Sequence, residues 1–255
     1  MSGALYNPAD NSVLFYSCKT GCTFLSKCPG CKRGRCSCVG PAVRFGEHLD
    51  FEVHDLENVE LFRAVVRDPV ERAISAFQHC ILRLYFPDRR EQFLRGDGGD
   101  SHWQFGELEH VQAWRTQHHA QLQRYLQGAH PDDIVALYED FVDQLLPVLM
   151  QNNCHFMPQL NEWYVQQHLE RAELWVTPKL TVEMQTHYPQ VNWQRRSIHR
   201  GGWYFNISRK RFYDAIVTWI FQLYPEDFAL YDRAVEENLH KYPALQKTRL
   251  NTLCC

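Results

Sequence analysis

Three short apolar runs predict the strands of a buried β-sheet. They are Ser12–Tyr16, Leu61–Val66 and residues 134–138, and each is rich in β-branched and aromatic side chains. A polar turn or a segment with helical spacing of apolar residues follows each run. Strands that alternate with helices form mainly parallel sheets with helices on both faces. The pattern therefore predicts an α/β fold with a central parallel sheet of about four or five strands, flanked by helices.

The helices are predicted from apolar residues at intervals of three and four positions. The second strand leads into a helix from Pro69 to about Leu84, since proline suits the first helical position. Further helices are predicted over residues 105–126, from the third strand to about Met150, and over residues 209–223. Ser208 is a favourable N-cap for the last of these.

The composition indicates a single globular domain spanning residues 1–255. Hydrophobic residues make up 45% of the 255 positions and charged residues 22%, so the chain can bury a sizeable core. A formal net charge of −3 argues against general nucleic-acid binding. Within this domain we expect a Cys-rich insertion at about 27–40 and a C-terminal tail at about 235–255.

The distribution of apolar residues bears on where in the cell the protein is expected. No apolar run approaches the ~18–20 residues needed to cross a bilayer, so no membrane span is predicted. Residues 1–11 lack the basic and apolar regions of a signal peptide. The expectation is a cytoplasmic protein, and the oligomeric state is left open.

A polar turn containing a glycine follows the first predicted strand, in the sequence Cys18-Lys-Thr-Gly-Cys-Thr23. Gly21 would let the backbone approach an anion closely, Lys19 supplies a positive charge, and the Thr23 hydroxyl can donate a hydrogen bond. The order of these residues differs from the Walker A motif. Taken alone, the segment fits an ordinary strand-to-helix turn equally well.

A second segment with phosphate-binding chemistry is Arg67-Asp-Pro-Val-Glu-Arg-Ala-Ile-Ser75. Arg67 lies at the carboxyl end of the second predicted strand, where α/β sheets bind their ligands, and Ser75 follows two helical turns later. An arginine and a hydroxyl suit a phosphate monoester, because the guanidinium group can bind it through two parallel hydrogen bonds. The alternative is that Arg67 is a surface cap and Arg72 pairs with Glu71 or Asp68.

In this order the two segments resemble the 5′-phosphosulfate loop and the 3′-phosphate motif of sulfotransferases that use 3′-phosphoadenosine 5′-phosphosulfate (PAPS). The branch resembled is the carbohydrate sulfotransferases (sulfotransferase family 2), with the patterns Lys-x-Gly-Cys-Thr and Arg-x-Pro-x-x-Arg-x-x-Ser. Residues 134–140 (IVALYED), 153–159 (NCHFMPQ) and 224–231 (YPEDFALY) are also similar to segments of this family. The resemblance extends from Ser12 to about Tyr231.

The resemblance implies a P-loop-like three-layer sandwich and an enzyme that transfers the sulfuryl group of PAPS. The acceptor would be a hydroxyl or amine of a carbohydrate or polyhydroxylated small molecule, and no metal is required. Lys19 would stabilise negative charge on the bridging oxygen as the sulfuryl group leaves. The resemblance assigns Arg67 and Ser75 to the 3′-phosphate, and to the 5′-phosphosulfate it assigns Lys19, Thr20, Gly21, Cys22 and Thr23.

The acceptor must lose a proton, and His48 is the candidate base. It precedes the Arg67 strand, as the base does in some uronyl-type relatives, and a neutral imidazole suits this task. Glu47 and His54 lie in the same segment and remain alternatives. His155 is interpreted as structural support.

A basic cluster precedes the last predicted helix and has two interpretations. It fits a loop that closes over the nucleotide or binds an anionic acceptor, and it fits a solvated loop equally well. Its members are Arg195, Arg196, His199 and Arg200.

The cysteines depart from the family pattern, because six of the ten lie between Cys18 and Cys38. A structural zinc site is one interpretation, although the final Cys-x-Cys spacing is tighter than a usual zinc knuckle, and free thiols in a reducing cytosol are the other. Carbohydrate-acting relatives usually carry a membrane anchor, so the Golgi lumen is the alternative location if an anchor has been removed. The four candidate zinc ligands are Cys28, Cys31, Cys36 and Cys38.

Two other functions remain open. A nucleotide-dependent phosphoryl transferase could use Lys19 and Arg67, although the Walker A order and an evident magnesium-binding Asp are missing. An inactive, zinc-stabilised interaction module on the same fold is the other alternative. Dependence on ATP and Mg²⁺ would favour the first, and zinc binding without PAPS binding would favour the second.

Overall fold

The computed structural model describes residues 3–7, 10–17, 56, 58–78, 107–126, 132–153, 155–161, 163–189 and 207–245. The chain divides into two compact units. The first, which we call the sheet unit, comprises Met1–Pro69, Pro158–Arg200 and Pro225–Cys255. The second, the helical unit, comprises Val70–Met157 and Gly201–Tyr224.

The sheet unit contains a four-stranded sheet in the order β1-β2-β3-β4. Strand β1 (Gly3–Asn7) pairs antiparallel with β2 (Ser12–Tyr16), and β2 pairs in parallel with β3 (Leu61–Val66). Strand β4 (Glu173–Val176) then pairs in parallel with β3. The carboxyl ends of β2, β3 and β4 therefore lie at one edge of the sheet, which we call the carboxyl edge.

A turn at Asn11 joins β1 to β2 and is tied to the beginning of β3. Asn11 has a φ of 47°, in the left-handed region that asparagine tolerates better than most residues. Its side-chain amide donates to the Asn58 carbonyl at 2.7 Å, and its own carbonyl accepts from the Glu60 amide at 3.1 Å. These bonds hold the turn at the amino end of β3, where the parallel register pairs Ser12 with Leu61.

One face of the sheet packs against helices of the sheet unit. These are α6 (Trp163–Leu169) and α9 (Pro225–Asn238), whereas His187 of α7 (Leu180–His187) stacks on Trp175 of β4 with the two ring centres 5.0 Å apart. Phe15, Phe62 and Leu174 from three neighbouring strands are fully buried in one cluster with Tyr231 and Ala234 of α9. Burial of each large apolar side chain contributes about 1.5–3 kcal/mol, so this cluster is the main core of the unit.

The opposite face of the sheet buries a charged side chain, Arg63, which is only 2% exposed. Its guanidinium group donates to Ser12 Oγ at 2.5 Å and pairs with Asp10 at 2.8 Å and with Glu173 at 3.3 Å. It also lies 5.4 Å from the centre of the Trp175 ring. A buried charge is tolerated only when it is paired in this way, so the Arg63 cluster anchors the amino ends of β2, β3 and β4.

The helical unit is built from six helices within the described residues. An aromatic cluster forms its core. The centre of the Phe77 ring lies 4.9 Å from the ring centres of both Tyr138 and Phe141, and the ring centres of Phe212 and Tyr138 are 5.6 Å apart. Tilted and edge-on ring contacts of this kind are favourable beyond the area that they bury. The helices are α1 (Pro69–Phe77), α2 (Glu107–Gln117), α3 (His119–Leu126), α4 (Asp132–Gln144), α5 (Leu146–Asn152) and α8 (Arg209–Leu223).

The prediction of a third strand over residues 134–138 is wrong, because this segment is part of helix α4. Its buried residues are Ile134, Leu137, Tyr138, Phe141 and, just beyond the helix, Leu145. Their spacing of three and four positions marks one face of a helix and overrides the β-prone composition of the five-residue run. The strands that pair with β2 and β3 are instead β1 and β4, which were not predicted.

Most other predicted elements are confirmed, but the single helix predicted over residues 105–126 is two helices, α2 and α3, in the described residues. Strands β2 and β3 have the predicted bounds, and the helix that begins at Pro69 is described as far as Phe77. Helix α8 also has its predicted bounds, and its N-cap Ser208 accepts a hydrogen bond from the Arg211 amide at 3.2 Å. A small sheet with three parallel strands and an antiparallel edge strand, flanked by helices, is compatible with the predicted α/β class.

The end of the described chain carries more structure than the expected tail. Helix α9 continues to Asn238, and Leu245 is buried in the core of the sheet unit. Across the described ranges, no helix has both the length and the apolar character that a membrane span requires.

Candidate functional site

Arg67 follows β3 directly at the carboxyl edge of the sheet and is half-buried. One side chain, that of Gln159, binds both the amide and the carbonyl of its backbone. The Arg67 amide donates to Gln159 Oε1 at 2.9 Å, and Gln159 Nε2 donates to the Arg67 carbonyl at 2.8 Å. At the preceding position, the Thr177 hydroxyl donates to the Val66 carbonyl at 3.0 Å. The backbone that carries the candidate phosphate-binding arginine is thus fixed by tertiary hydrogen bonds.

Gln159 is itself held by a buried carboxylate. It is 3% exposed, and its backbone amide donates to Asp227 Oδ1 at 2.8 Å. Asp227 is 2% exposed and lies in the first turn of α9, where the helix dipole favours a negative charge. The next residue, Leu160, is buried with a φ of 54°, a conformation that non-glycine residues adopt only when the surrounding structure enforces it.

These contacts join three segments of the sheet unit that the sequence presents separately. Arg67 belongs to the candidate 3′-phosphate motif, Gln159 ends the 153–159 segment, and Asp227 lies in the 224–231 segment. The sequence pointed to the three segments as parts of one resemblance, but it assigned no role to Gln159 or Asp227. Thr177 was missed altogether, since no motif includes it.

The rest of the arginine and serine motif belongs to helix α1 in the helical unit. Arg72 is 3% exposed and donates to the Met157 carbonyl at 2.6 Å, so it does not serve only as a partner of Glu71 or Asp68. Glu71 instead accepts a hydrogen bond from Arg209 Nε of α8 at 2.8 Å. Ser75 is half-buried on the same helix.

The turn before Pro158 is anchored within the helical unit. Asn153 is buried, and its side-chain oxygen accepts from the His155 amide at 3.0 Å and lies 3.1 Å from His155 Nδ1. The Tyr224 hydroxyl donates to the Phe156 carbonyl at 2.6 Å.

Burial, with a smaller contribution from Tyr224, raises the pKa of Tyr138 well above its usual value, so this core phenol stays neutral.

The Arg63 cluster forms a second group of charges, at the amino ends of the strands. Burial by itself would raise the pKa of Asp10, but hydrogen bonds from Ser12 and Arg63 outweigh it and lower that pKa. Burial lowers the pKa of His187, and the charge of Arg63 lowers it further. Because every strand end that carries Arg67 or Thr177 lies at the opposite edge, this cluster stabilises the sheet rather than the candidate site.

Of the sequence-predicted site residues, Arg67 and Ser75 are the ones that the structure describes. The remaining candidates lie outside the described residues: Lys19, Thr20, Gly21, Cys22 and Thr23 of the first motif, the candidate base His48, and the candidate zinc ligands Cys28, Cys31, Cys36 and Cys38. The basic cluster at residues 195–200 lies outside them as well.

No protein-family model, no curated protein and no solved structure matches the chain in the comparisons with known proteins. The arguments for function therefore rest on the chemistry of the residues and on the geometry of the carboxyl edge.

Proposed function

We propose that this protein is a PAPS-dependent sulfotransferase with a P-loop-like α/β fold. The observation that carries the proposal is the position of Arg67, which follows β3 at the carboxyl edge with its backbone fixed by Gln159. The first candidate motif, residues 19–23, begins three positions after the end of β2, the parallel neighbour of β3. Ligands of open α/β sheets bind beyond the carboxyl ends of the strands, so β2 and β3, which precede the two motifs in the sequence, both end on the side where a nucleotide would bind.

The residue types of the two motifs suit the two ends of the donor nucleotide. A half-buried arginine is well suited to a phosphate monoester, because its planar group donates two parallel hydrogen bonds and keeps its charge at any physiological pH. Arg67 would bind the 3′-phosphate in this way. Lys19, with the backbone amides of residues 20–23 and the hydroxyls of Thr20 and Thr23, would bind the 5′-phosphosulfate.

In the proposed reaction an acceptor oxygen or nitrogen attacks the sulfur in line with the bridging phosphate oxygen. A bond forms between the acceptor atom and sulfur, and the bond between sulfur and the bridging oxygen breaks. The acceptor proton passes to a base, for which His48 is the candidate, and 3′-phosphoadenosine 5′-phosphate leaves. Lys19 would stabilise the charge that develops on the leaving oxygen, and Arg67 would align the nucleotide. The acceptor proposed is a carbohydrate or another polyhydroxylated small molecule.

A turnover assay tests this proposal. The purified chain would be incubated with PAPS, a panel of oligosaccharides and small polyols, and a metal chelator. We expect release of 3′-phosphoadenosine 5′-phosphate together with an equal amount of one sulfated acceptor, identified by mass spectrometry. Lys19→Ala should lower the rate about 100-fold or more, because it removes charge stabilisation in the transition state. Lys210→Ala, at a side chain that is 83% exposed on α8, should keep the rate of the original chain.

Other results would contradict the proposal. In a parallel reaction without the chelator, turnover that needs ATP and Mg²⁺ and does not respond to PAPS would identify a phosphoryl transferase. A folded protein that binds zinc tightly and turns over neither nucleotide would identify an interaction module.

A further inference from the structure

The contact between Gln159 and Arg67 has the pattern of a β-ladder. In an extended strand the amide and the carbonyl of one residue point to the same side, and a partner strand normally satisfies both. Here the side-chain amide of Gln159 takes the place of that partner, accepting from the Arg67 amide at 2.9 Å and donating to the Arg67 carbonyl at 2.8 Å. Both backbone torsions of Arg67 are thereby restrained at the point where β3 ends.

The restraint is rigid because Gln159 is fixed in turn. Its side chain is buried, its backbone amide is bound to the buried Asp227, and it is followed by Leu160 in a left-handed conformation. Only a side chain with both a donor and an acceptor at its tip can make the two bonds to Arg67. A glutamate has the same shape but, when ionised, offers acceptors alone, so it would place an oxygen against the Arg67 carbonyl.

From this geometry we infer that Gln159 is a positioning residue that makes the site selective for nucleotides with a 3′-phosphate, an inference that rests on the proposed function. The direction of the Arg67 side chain follows from its backbone, and bidentate recognition of a phosphate tolerates little misplacement. Gln159 thus acts through Arg67 and does not touch the nucleotide. Asp227 supports Gln159 in this role.

The test compares affinities for two nucleotides, 3′-phosphoadenosine 5′-phosphate and adenosine 5′-phosphate, which differ only in the 3′-phosphate. The ratio of the two dissociation constants measures the selectivity for that phosphate and is insensitive to a general loss of folded protein. The variants are Gln159→Glu, the milder Gln159→Asn, Arg67→Ala and the double variant Gln159→Glu/Arg67→Ala. All are measured by calorimetry on the full chain.

A matched control is available in the same unit. Asn238 is another buried side-chain amide, 3% exposed, and its Nδ2 donates to the Leu174 carbonyl of β4 at 2.7 Å. Asn238→Asp makes the same chemical change as Gln159→Glu, at a position away from the carboxyl edge. It should lower the midpoint of thermal unfolding and leave the selectivity ratio unchanged.

We expect Gln159→Glu to lower the selectivity ratio about tenfold or more, and Gln159→Asn to lower it in the same direction, because the shorter side chain cannot reach both backbone groups. The double variant should lose no more selectivity than Arg67→Ala alone. The selectivity ratio of Gln159→Glu is compared with that of the original chain at each pH. The difference between the two should become smaller as the pH falls, because a protonated carboxyl can again donate to the Arg67 carbonyl.

Each contrary outcome identifies what has failed. If the original chain is selective and Arg67→Ala loses that selectivity, but folded Gln159→Glu and Gln159→Asn keep it, the inference is overturned while the proposed function stands. The same holds if Asn238→Asp loses selectivity as much as Gln159→Glu does. If the original chain shows no preference for the 3′-phosphate, the proposed function fails first.

Discussion

Replacement of Arg63 by methionine tests the energetic role of the charged cluster beneath the sheet. The substitution keeps a long, unbranched side chain and removes the guanidinium group. It eliminates a hydrogen bond of 2.5 Å to Ser12, worth about 1 kcal/mol, and an ion pair of 2.8 Å with Asp10, worth about 1.5–3 kcal/mol. The loss at Glu173 is small, because Glu173 keeps Lys241 at 3.1 Å.

The two losses together amount to about 2.5–4 kcal/mol, and water at the partly exposed carboxylates reduces the expected decrease in the free energy of unfolding to about 2–3 kcal/mol. This is below the ~3–5 kcal/mol typical of breaking a fully buried pair, because the side chains of Asp10 and Glu173 are each 33% exposed and stay in contact with water. Urea denaturation of the two proteins measures the difference, and a shift of the midpoint by about 1 M is expected for a chain of this size. Lys210→Met, at an exposed ion pair on α8, should change the free energy by at most ~0.5 kcal/mol.

The same comparison depends on pH in a defined direction. The pKa of Asp10 is lowered in the folded protein, because the bonds from Ser12 and Arg63 outweigh the effect of burial. A carboxyl with a lowered pKa stabilises the fold above its unfolded pKa, and this contribution is lost as the pH falls through the folded pKa. The difference between the two proteins should therefore be constant near pH 7 and shrink below about pH 4. Equal stability at pH 7, or a difference that persists unchanged at pH 3, would refute the reasoning.

Two further predictions concern the cap of α8 and a histidine of the Arg63 cluster. Ser208→Ala should lower the free energy of unfolding, measured in urea, by about 1 kcal/mol, because the hydrogen bond from the Arg211 amide to the cap is lost. Ser208→Asp should keep this hydrogen bond and the stability that it provides. Equal effects of the two substitutions would contradict the role of Ser208 as a cap. The ring protons of His187, followed by NMR, should titrate below the usual histidine pKa because of burial and of Arg63. That pKa should rise in Arg63→Met, and an unchanged value would show that the Arg63 charge does not act on this ring.

The two central strands could be predicted from the sequence because their apolar runs are long enough to specify buried, parallel strands. Strand β4 has only four residues. Its one glutamate and one tryptophan do not produce an alternation of polar and apolar positions that would predict a strand. The helix over residues 132–144 was mistaken for a strand because a five-residue window hides its period. The full set from Ile134 to Leu145 would have revealed the helical face.

The candidate site likewise has a part that could be predicted from the sequence and a part that could not. Arg67 was predicted because its position after a buried strand is visible in the local sequence. The bonds that fix its backbone come from Gln159, 92 positions away, while Thr177 bonds to Val66 from 111 positions away. Gln159 ends a segment that the sequence singled out, but nothing in that segment relates it to Arg67, and Thr177 carries no local signal. Only the tertiary structure brings the two residues to the carboxyl edge.

The most direct test of the central claim is calorimetric binding of 3′-phosphoadenosine 5′-phosphate to the original chain, Lys19→Ala and Arg67→Ala. The account predicts micromolar binding, equivalent to about −8 kcal/mol, and a loss of a few kcal/mol in each variant. Lys210→Ala should bind as the original chain does, because its side chain lies in solvent. A folded original chain that does not bind the nucleotide, or binds it equally well in all four proteins, would contradict the proposed donor site.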